Sequence, residues 1–291
     1  MSNKYFQFER RMLRHFLLII ILVSSGSQLN IRNSLSTIGP GNEINELKQQ
    51  DISPEDKGLT IAVEADKRDT GFGDFTVDLA MILKNSHGEE SSRQMRNKVL
   101  EVPGDGDKSL FIFDRPRDIK GTALLTYSHK DKPDDQWIFL PALNRVKRIT
   151  TSNKSGPFMG SEFAFEDLSS EEVEKYTYRF IRNEIIEEIE YFVIERYPRD
   201  LKSGYNRQIV WYTMNEYRIH KIEYYDRKDD LLKTLTYLDY RLYLGMYWRA
   251  SEMLIINHQT GKSTRSLWSD FRFNSGLAER DFDPNALRRI Q

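Results

Sequence analysis

Cysteine is missing from all 291 residues of the chain. Its absence excludes disulfide staples, thiolate nucleophiles and thiolate metal ligands. It also excludes the lipid-modified cysteine that would tether an exported protein by its own N-terminus. Histidine is scarce: His15, His87, His129, His220 and His258 fall at no spacing that gathers a metal ion. No H-E-x-x-H or G-x-S-x-G pattern occurs, so no nucleophile, base and orienting group can be nominated together. Charge of one sign is lacking as well, with 43 basic against 44 acidic residues. Nonspecific affinity for phosphate backbones needs clustered Lys and Arg, so nucleic acid is not expected as a partner. Nor does any apolar run approach the ~20 residues of a bilayer-spanning helix.

Gly261-Lys262-Ser263 imitates the end of a phosphate-binding loop, but Ile256 stands where its first glycine would be and strands flank it. A hairpin turn is the simpler reading. Asp105 with Asp107, and Asp281 with Asp283, lack the remaining ligands of a calcium loop. Neither a metal nor a cofactor is expected.

What is present begins with a targeting pattern. Lys4, Arg10, Arg11 and Arg14 precede an apolar run at 16–23, and small residues follow at 24–27. That order is expected of a cleavable secretory signal at 1–27, with a mature start near Gln28 and a periplasmic destination; the weaker alternative is that the segment is retained as an anchor. Residues 28–52 are polar and without period, which suits a flexible leader. A domain of 53–291 is expected to follow, since 39% hydrophobic and 12% aromatic residues suffice for one large core.

Ser53-Pro54-Glu55-Asp56 supplies an N-cap, a proline at the first helical position and an acid three residues after the cap. Leu59, Ala62, Val63 and Asp66 continue at helical spacing to a stop at Thr70-Gly71. Gly58 counts against this helix by up to ~1 kcal/mol. From Phe75 the period becomes two: Phe75, Val77, Leu79, Met81 and Leu83 alternate with their neighbours. Strands are expected again at 108–114, 122–128, 136–140, 177–183, 187–197, 207–214, 217–226, 232–240, 247–257 and 263–273. The connections carry turn residues rather than helix-length insertions, which predicts an antiparallel meander. So many strands must curl, because a flat sheet would expose long edges. The expected fold is mainly β with short helices: a strongly curved antiparallel sheet forming an incomplete barrel with a helical lid. Polar positions such as Asp78, Arg218 and Glu223 mark a wet face, and short helices at 170–175 and 284–289 are expected to cover the dry concave one.

Segment 137–168 reads WIFLPALNRVKRITTSNKSGPFMGSEFAFEDL and joins an apolar strand, a basic ridge and a hydrophobic loop. The Phe158-Met159 pair sits between glycines and a proline, outside any strand or helix period. A loop must therefore deliver it, into a cavity, onto a partner, or as a pin at the barrel mouth. Arg145, Lys147, Arg148 and Lys154 suit a solvated strand edge, an anionic headgroup or an acidic partner. Glu162, Glu166 and Asp167 could simply pair with them.

In Trp137, Phe139, Leu140 and Pro141, in Arg145, Arg148 and Ile149, and in Ser155, Phe158, Met159, Gly160, Ser161, Glu162 and Phe163 closing on Asp167-Leu168, this segment resembles the LolA-like outer-membrane lipoprotein-sorting family. The likeness extends more loosely from about Leu59 to the C-terminus. The resemblance implies a half-barrel that holds acyl chains between a curved sheet and its helices, and it brings no catalytic residues.

Together these readings predict a non-enzymatic periplasmic carrier or chaperone of lipid or lipoprotein acyl chains. Its lipid-binding wall is expected from Phe75, Val77, Leu79, Trp137, Phe139, Phe158, Met159, Phe163 and Trp211, and its headgroup or partner contacts from Arg145, Arg148 and Lys154. The resemblance also makes an inner-membrane export pump of the resistance-nodulation-division class a plausible donor, with peripheral membrane contact. The alternative is an envelope adaptor of such a pump that docks through Phe158-Met159 and carries no cargo.

Overall fold

The computed structural model describes residues 52–289, so the expected signal at 1–27 and nearly all of the leader lie outside the described residues. Helix α1, Pro54–Asp69, starts where the cap predicts: the Ser53 hydroxyl accepts from the Asp56 N–H. Gly58 has a packing reason. A Cβ there would sit 2.8 Å from the backbone of Arg179 and Phe180, so the helix backbone lies directly against a strand. No helix among the described residues is long and apolar enough to cross a membrane.

Thirteen strands follow: β1 Asp74–Lys84, β2 Glu90–Leu100, β3 Lys108–Arg115, β4 Ala123–Tyr127, β5 Asp135–Leu140, β6 Arg145–Ile149, β7 Tyr176–Ile186, β8 Ile189–Pro198, β9 Tyr205–Thr213, β10 Ile219–Asp226, β11 Leu231–Tyr243, β12 Tyr247–Asn257 and β13 Ser263–Phe273. They form one antiparallel sheet in the order β6-β5-β4-β3-β2-β1-β13-β12-β11-β10-β9-β8-β7. First and last strands therefore meet in the middle, and β6 and β7 are left as unpaired edges. The sheet is an incomplete barrel, as the alternation predicts. Gly261 turns the β12–β13 hairpin at φ 68, so the phosphate-loop imitation is a turn.

Register decides which side chains share the concave face. Ile194, Val210, Ile222, Leu235, Ile255, Thr264 and Leu83 stand opposite one another on successive strands, forming a continuous row across half of the sheet. On the other half, Leu79, Met95 and Phe113 make a second row, and Phe111, Leu124 and Ile138 a third. Apart from Thr264, these residues belong to one hydrophobic core cluster, closed by Ile61 and Ala62 of α1. Each such aliphatic side chain contributes about 1.5–3 kcal/mol on burial.

Two helix expectations need correction. Segment 284–289 is a 3-10 helix that covers the convex face: Phe282 and Leu287 pack on Leu110, Ile112, Ala123, Leu125 and Phe139. Segment 170–175 shortens to the 3-10 turn Val173–Lys175. The concave lid is instead α1 together with the loop between β6 and β7.

Candidate functional site

The β6–β7 loop enters the concave face as a tight hairpin. Met159 and Gly160 take φ 49 and 81, and Ser161 N–H donates to the Phe158 carbonyl at 2.9 Å. This reversal drives Phe158 inward until it is 1% exposed, its ring 5.6 Å from that of Phe113 and 5.7 Å from that of Phe165. Phe163 is buried beside it, and Met159 is half-buried against the same cluster. No strand ladder holds the loop; its one bridge pairs Pro157 with Ala164, within the loop itself.

Side chains tie it to the wall. Lys233, on the inward row of β11, is 3% exposed; its Nζ donates to Asp167 Oδ2 at 2.5 Å and to the Glu162 carbonyl at 2.9 Å. Asp167 also accepts from the Tyr205 hydroxyl at 2.7 Å and the Ala164 N–H at 2.7 Å. Burial, and then the Asp167 and Glu166 carboxylates, push the Tyr205 phenol far above its ordinary range, so that hydroxyl remains a donor. A buried ion pair whose carboxylate accepts two further hydrogen bonds is tolerable, whereas removing one partner typically costs ~3–5 kcal/mol.

Where the barrel fails to close, side chains bridge the gap in place of a backbone ladder. Lys175 pairs with Asp134 at 2.9 Å, Lys154 with Asp200 at 2.6 Å, and the Ser203 hydroxyl donates to Glu166 at 2.8 Å. The 130–134 turn is itself anchored: Asp105 accepts from Lys130 N–H at 3.0 Å and lies 2.7 Å from His129 Nδ1. Burial opposes the charge of Asp105, but those contacts outweigh it and bring the pKa to about 2.

A cavity of about 610 Å³ opens in this seam. Tyr176, Tyr205, Tyr224 and Gln208 line it, and Lys154, Lys175, Asp134 and Asp200 are among its charged residues. Arg196, on the same inward face as Gln208, forks onto Glu171 at 2.8 and 2.9 Å and stacks over Tyr176. Burial opposes ionisation of Glu171, yet the Arg196 guanidinium prevails and holds the carboxyl below its usual range.

Of the expected wall residues, Leu79, Phe158, Met159 and Phe163 come together in the concave core. Phe75 and Val77 share its face of β1 but belong to a neighbouring aromatic cluster with Phe72, Tyr247, Phe271 and Phe273. Trp137, Phe139 and Trp211 are corrected: all three point to the convex side. Ile138 faces inward opposite Leu124, so alternation turns Trp137 and Phe139 outward, under the C-terminal segment. Likewise Val210 and Tyr212 take the inner face, and Trp211 packs outside with Tyr191 and Val193, its ring beneath Lys221. Arg145, Lys147 and Arg148 are exposed on edge strand β6, where Arg148 pairs with Asp135. Lys154 stands apart from them, in the seam.

Sequence reasoning missed Lys233, Arg196, Gln208 and the three tyrosines of the cavity. A signal existed: Lys233 shares its parity with Leu235, Arg196 with Ile194, and Gln208 with Val210, so period two alone places a polar group on the dry face.

A family model described only as that of an uncharacterized protein matches residues 105–289. No curated protein sequence matches the chain. Among solved structures, the chain is similar to a Vibrio parahaemolyticus domain provisionally described as an outer membrane lipoprotein-sorting protein. Identity there is 56%, the TM-score is 0.79, and the match covers 80% of this chain and 99% of that one. A DUF1329 family protein from Desulfovibrio piger matches at 29% identity and a TM-score of 0.76, over 81% of this chain and 99% of that one. A LolA superfamily protein from Nitrosomonas europaea shares the fold, with 22% identity, a TM-score of 0.63, and coverage of 78% and 97%. The inward loop on an incomplete barrel and the identity to the Vibrio domain agree with the motif resemblance, and the chain belongs to the LolA-like outer-membrane lipoprotein-sorting family.

Proposed function

We propose that the protein is a carrier that takes acyl chains of a lipid or lipoprotein into its half-barrel and moves them through the periplasm, from an inner-membrane donor towards the outer membrane. The observation that carries this reading is the nature of the plug. The concave face is filled by a loop that holds its place through Phe158, Met159 and Phe163 and through side-chain ties, not through a ladder. Such a plug can leave without unzipping the sheet, and an entering acyl chain would replace one apolar surface by another. The driving force is sufficient: about 0.8 kcal/mol per methylene buried gives a long chain on the order of 10 kcal/mol before ordering costs. The seam cavity beside the plug, bounded by ion pairs that water can re-solvate, is the natural entry.

A cargo-free adaptor docking through Phe158-Met159 is disfavoured, because Phe158 is buried and offers no surface to a partner. An export pump remains a proposed donor on family resemblance alone. The test is saturable binding of a fluorescent fatty-acid probe that unlabelled lipid displaces, together with mass spectrometry of lipid extracted from protein purified from the envelope. Absence of displaceable binding, both in the native chain and in Phe158→Ala, would sink the carrier reading.

A further inference from the structure

The β11–β12 hairpin outruns the sheet. Pairing of β10 with β11 ends at Lys221–Thr236, and that of β12 with β13 begins at Glu252–Leu267, so residues 237–251 pair only with each other. At the end of this ribbon, Leu242, Leu244 and Met246 are 47%, 60% and 61% exposed. The turn between them has φ 50 at Leu244 and 69 at Gly245, with Met246 N–H donating to the Tyr243 carbonyl at 3.0 Å. That is a β-turn with two left-handed central residues, set in the three-residue loop between the paired Tyr243 and Tyr247, and its first central position favours Asn, Asp or Gly. Leucine here is disfavoured twice over, by its backbone conformation and by its contact with water.

Folding therefore does not account for Leu244. The ribbon is firmly based, because Tyr243 and Tyr247 pack on Phe273, and Arg249 pairs with Asp69 of α1. A rigid stalk thus carries an apolar point. Residues 240–249 read YRLYLGMYWR: aliphatic at the tip, aromatic behind it, with two arginines and no acid. Arg241 is exposed and makes no ion pair among the described residues. This is the layering of a bilayer interface, where aliphatic groups enter the acyl boundary, the half-buried Tyr243 and Trp248 stand at headgroup level behind them, and Arg241 meets lipid phosphate while Arg249 holds the base. A loop this short is also convex, so it offers a protein partner no groove.

The β7–β8 hairpin provides a contrast within the molecule. Ile185 and Ile189 are exposed there too, but the turn is Glu187-Glu188 and residues 185–190 read IIEEIE, which an anionic surface would repel.

We infer that the β11–β12 tip inserts into the interface of an anionic lipid bilayer, with Leu242, Leu244 and Met246 as the penetrating side chains. This stands apart from the carrier reading, since a protein without cargo would dock in the same way. The absence of cysteine allows a direct test. Leu244→Cys, labelled with an environment-sensitive fluorophore, is mixed with vesicles of phosphatidylethanolamine and phosphatidylglycerol, and Ile185→Cys carries the same label as the control. The expected result is a blue shift at 244 and none at 185, weaker with phosphatidylcholine vesicles and at high salt. Leu244→Asn combined with Met246→Asn keeps a favoured turn, so the fold should survive, as an unchanged melting temperature would verify. That chain should partition about tenfold or more weakly into the same vesicles. Equal shifts at both sites, no shift at 244 while the chain sediments with the vesicles, or unaltered partitioning of the double variant would each overturn the inference.

Discussion

Two turns in this molecule have nearly the same backbone and opposite surroundings. Phe158-Met159-Gly160-Ser161 and Tyr243-Leu244-Gly245-Met246 each reverse the chain through a large apolar residue and a glycine, at φ 49 and 81 in one and 50 and 69 in the other. The first is folded into the concave face, where Phe158 meets Phe111 and Phe113. The second stands in water on a two-stranded stalk. Local chemistry sets the geometry of both, so the difference arises from what each turn finds beyond itself. One finds an unfilled half-barrel, and the other finds the end of a sheet. An apolar residue that strains its backbone has an evident compensation in the first case and none within the protein in the second. That is why the first is read as a plug and the second as a surface for lipid.

The largest way to break the comparison is to empty the plug. Phe158→Ala removes a fully buried ring from the inner cluster, and losses of this kind run to about 3–5 kcal/mol. In a domain of this size the melting temperature should fall on the order of 10 °C. A purely structural pin and a displaceable plug both predict that fall, but they differ in binding. If an acyl chain must evict the loop, weakening the loop raises the population of the competent state, so the fatty-acid probe should bind more tightly to Phe158→Ala than to the native chain. A less stable protein with unchanged or weaker probe binding would return the loop to a structural role.

How far the plug was legible in the sequence follows from what each signal depends on. Alternation from Phe75 onwards and turn residues between strands are local, and they gave the meander, the curl and most strand limits. The motif of 137–168 gave the loop and the family. Facing was harder. Trp137, Phe139 and Trp211 are as apolar as their inward neighbours, because the convex side of β3–β5 is itself covered by Phe282 and Leu287 and that of β8–β9 carries its own cluster. A sheet buried on both faces loses the alternation that tells inside from outside. The seam cavity was illegible for another reason: Lys154 and Asp200, or Lys175 and Asp134, are distant in sequence and meet only because the barrel stops short of closing.

A smaller effect should appear with pH. Burial raises the Asp107 carboxyl to about 7, and Glu172, Glu101 and Asp69 nearby add to the shift. In the folded chain this group holds its proton well above the pH at which the unfolded chain releases it, so folding is favoured at low pH for this residue. Its contribution fades as pH rises from near 4 through about 7. Asp107→Asn should therefore flatten the decline of melting temperature across that window while changing little at its acid end. An unaltered slope would mean that Asp107 titrates normally.

The smallest expected effect sharpens the comparison most, because it applies one substitution to one backbone position in the two settings. Asn accepts a left-handed conformation more readily than Met or Leu does, so at both turns the local preference favours the change, by up to ~1 kcal/mol. At Met159 that gain is set against the loss of a half-buried side chain packed on the concave core, worth about 1–2 kcal/mol. Met159→Asn should therefore lower the melting temperature slightly. Leu244 has no such contacts to lose, and Leu244→Asn should leave the melting temperature unchanged or raise it by a degree or two, about 0.5 kcal/mol. A clear fall at Leu244 would mean that the exposed tip is held by packing within the protein after all, and the case for an external lipid partner would lose its premise. If stability holds there while Met159→Asn declines, the leucine at 244 is kept for something other than folding.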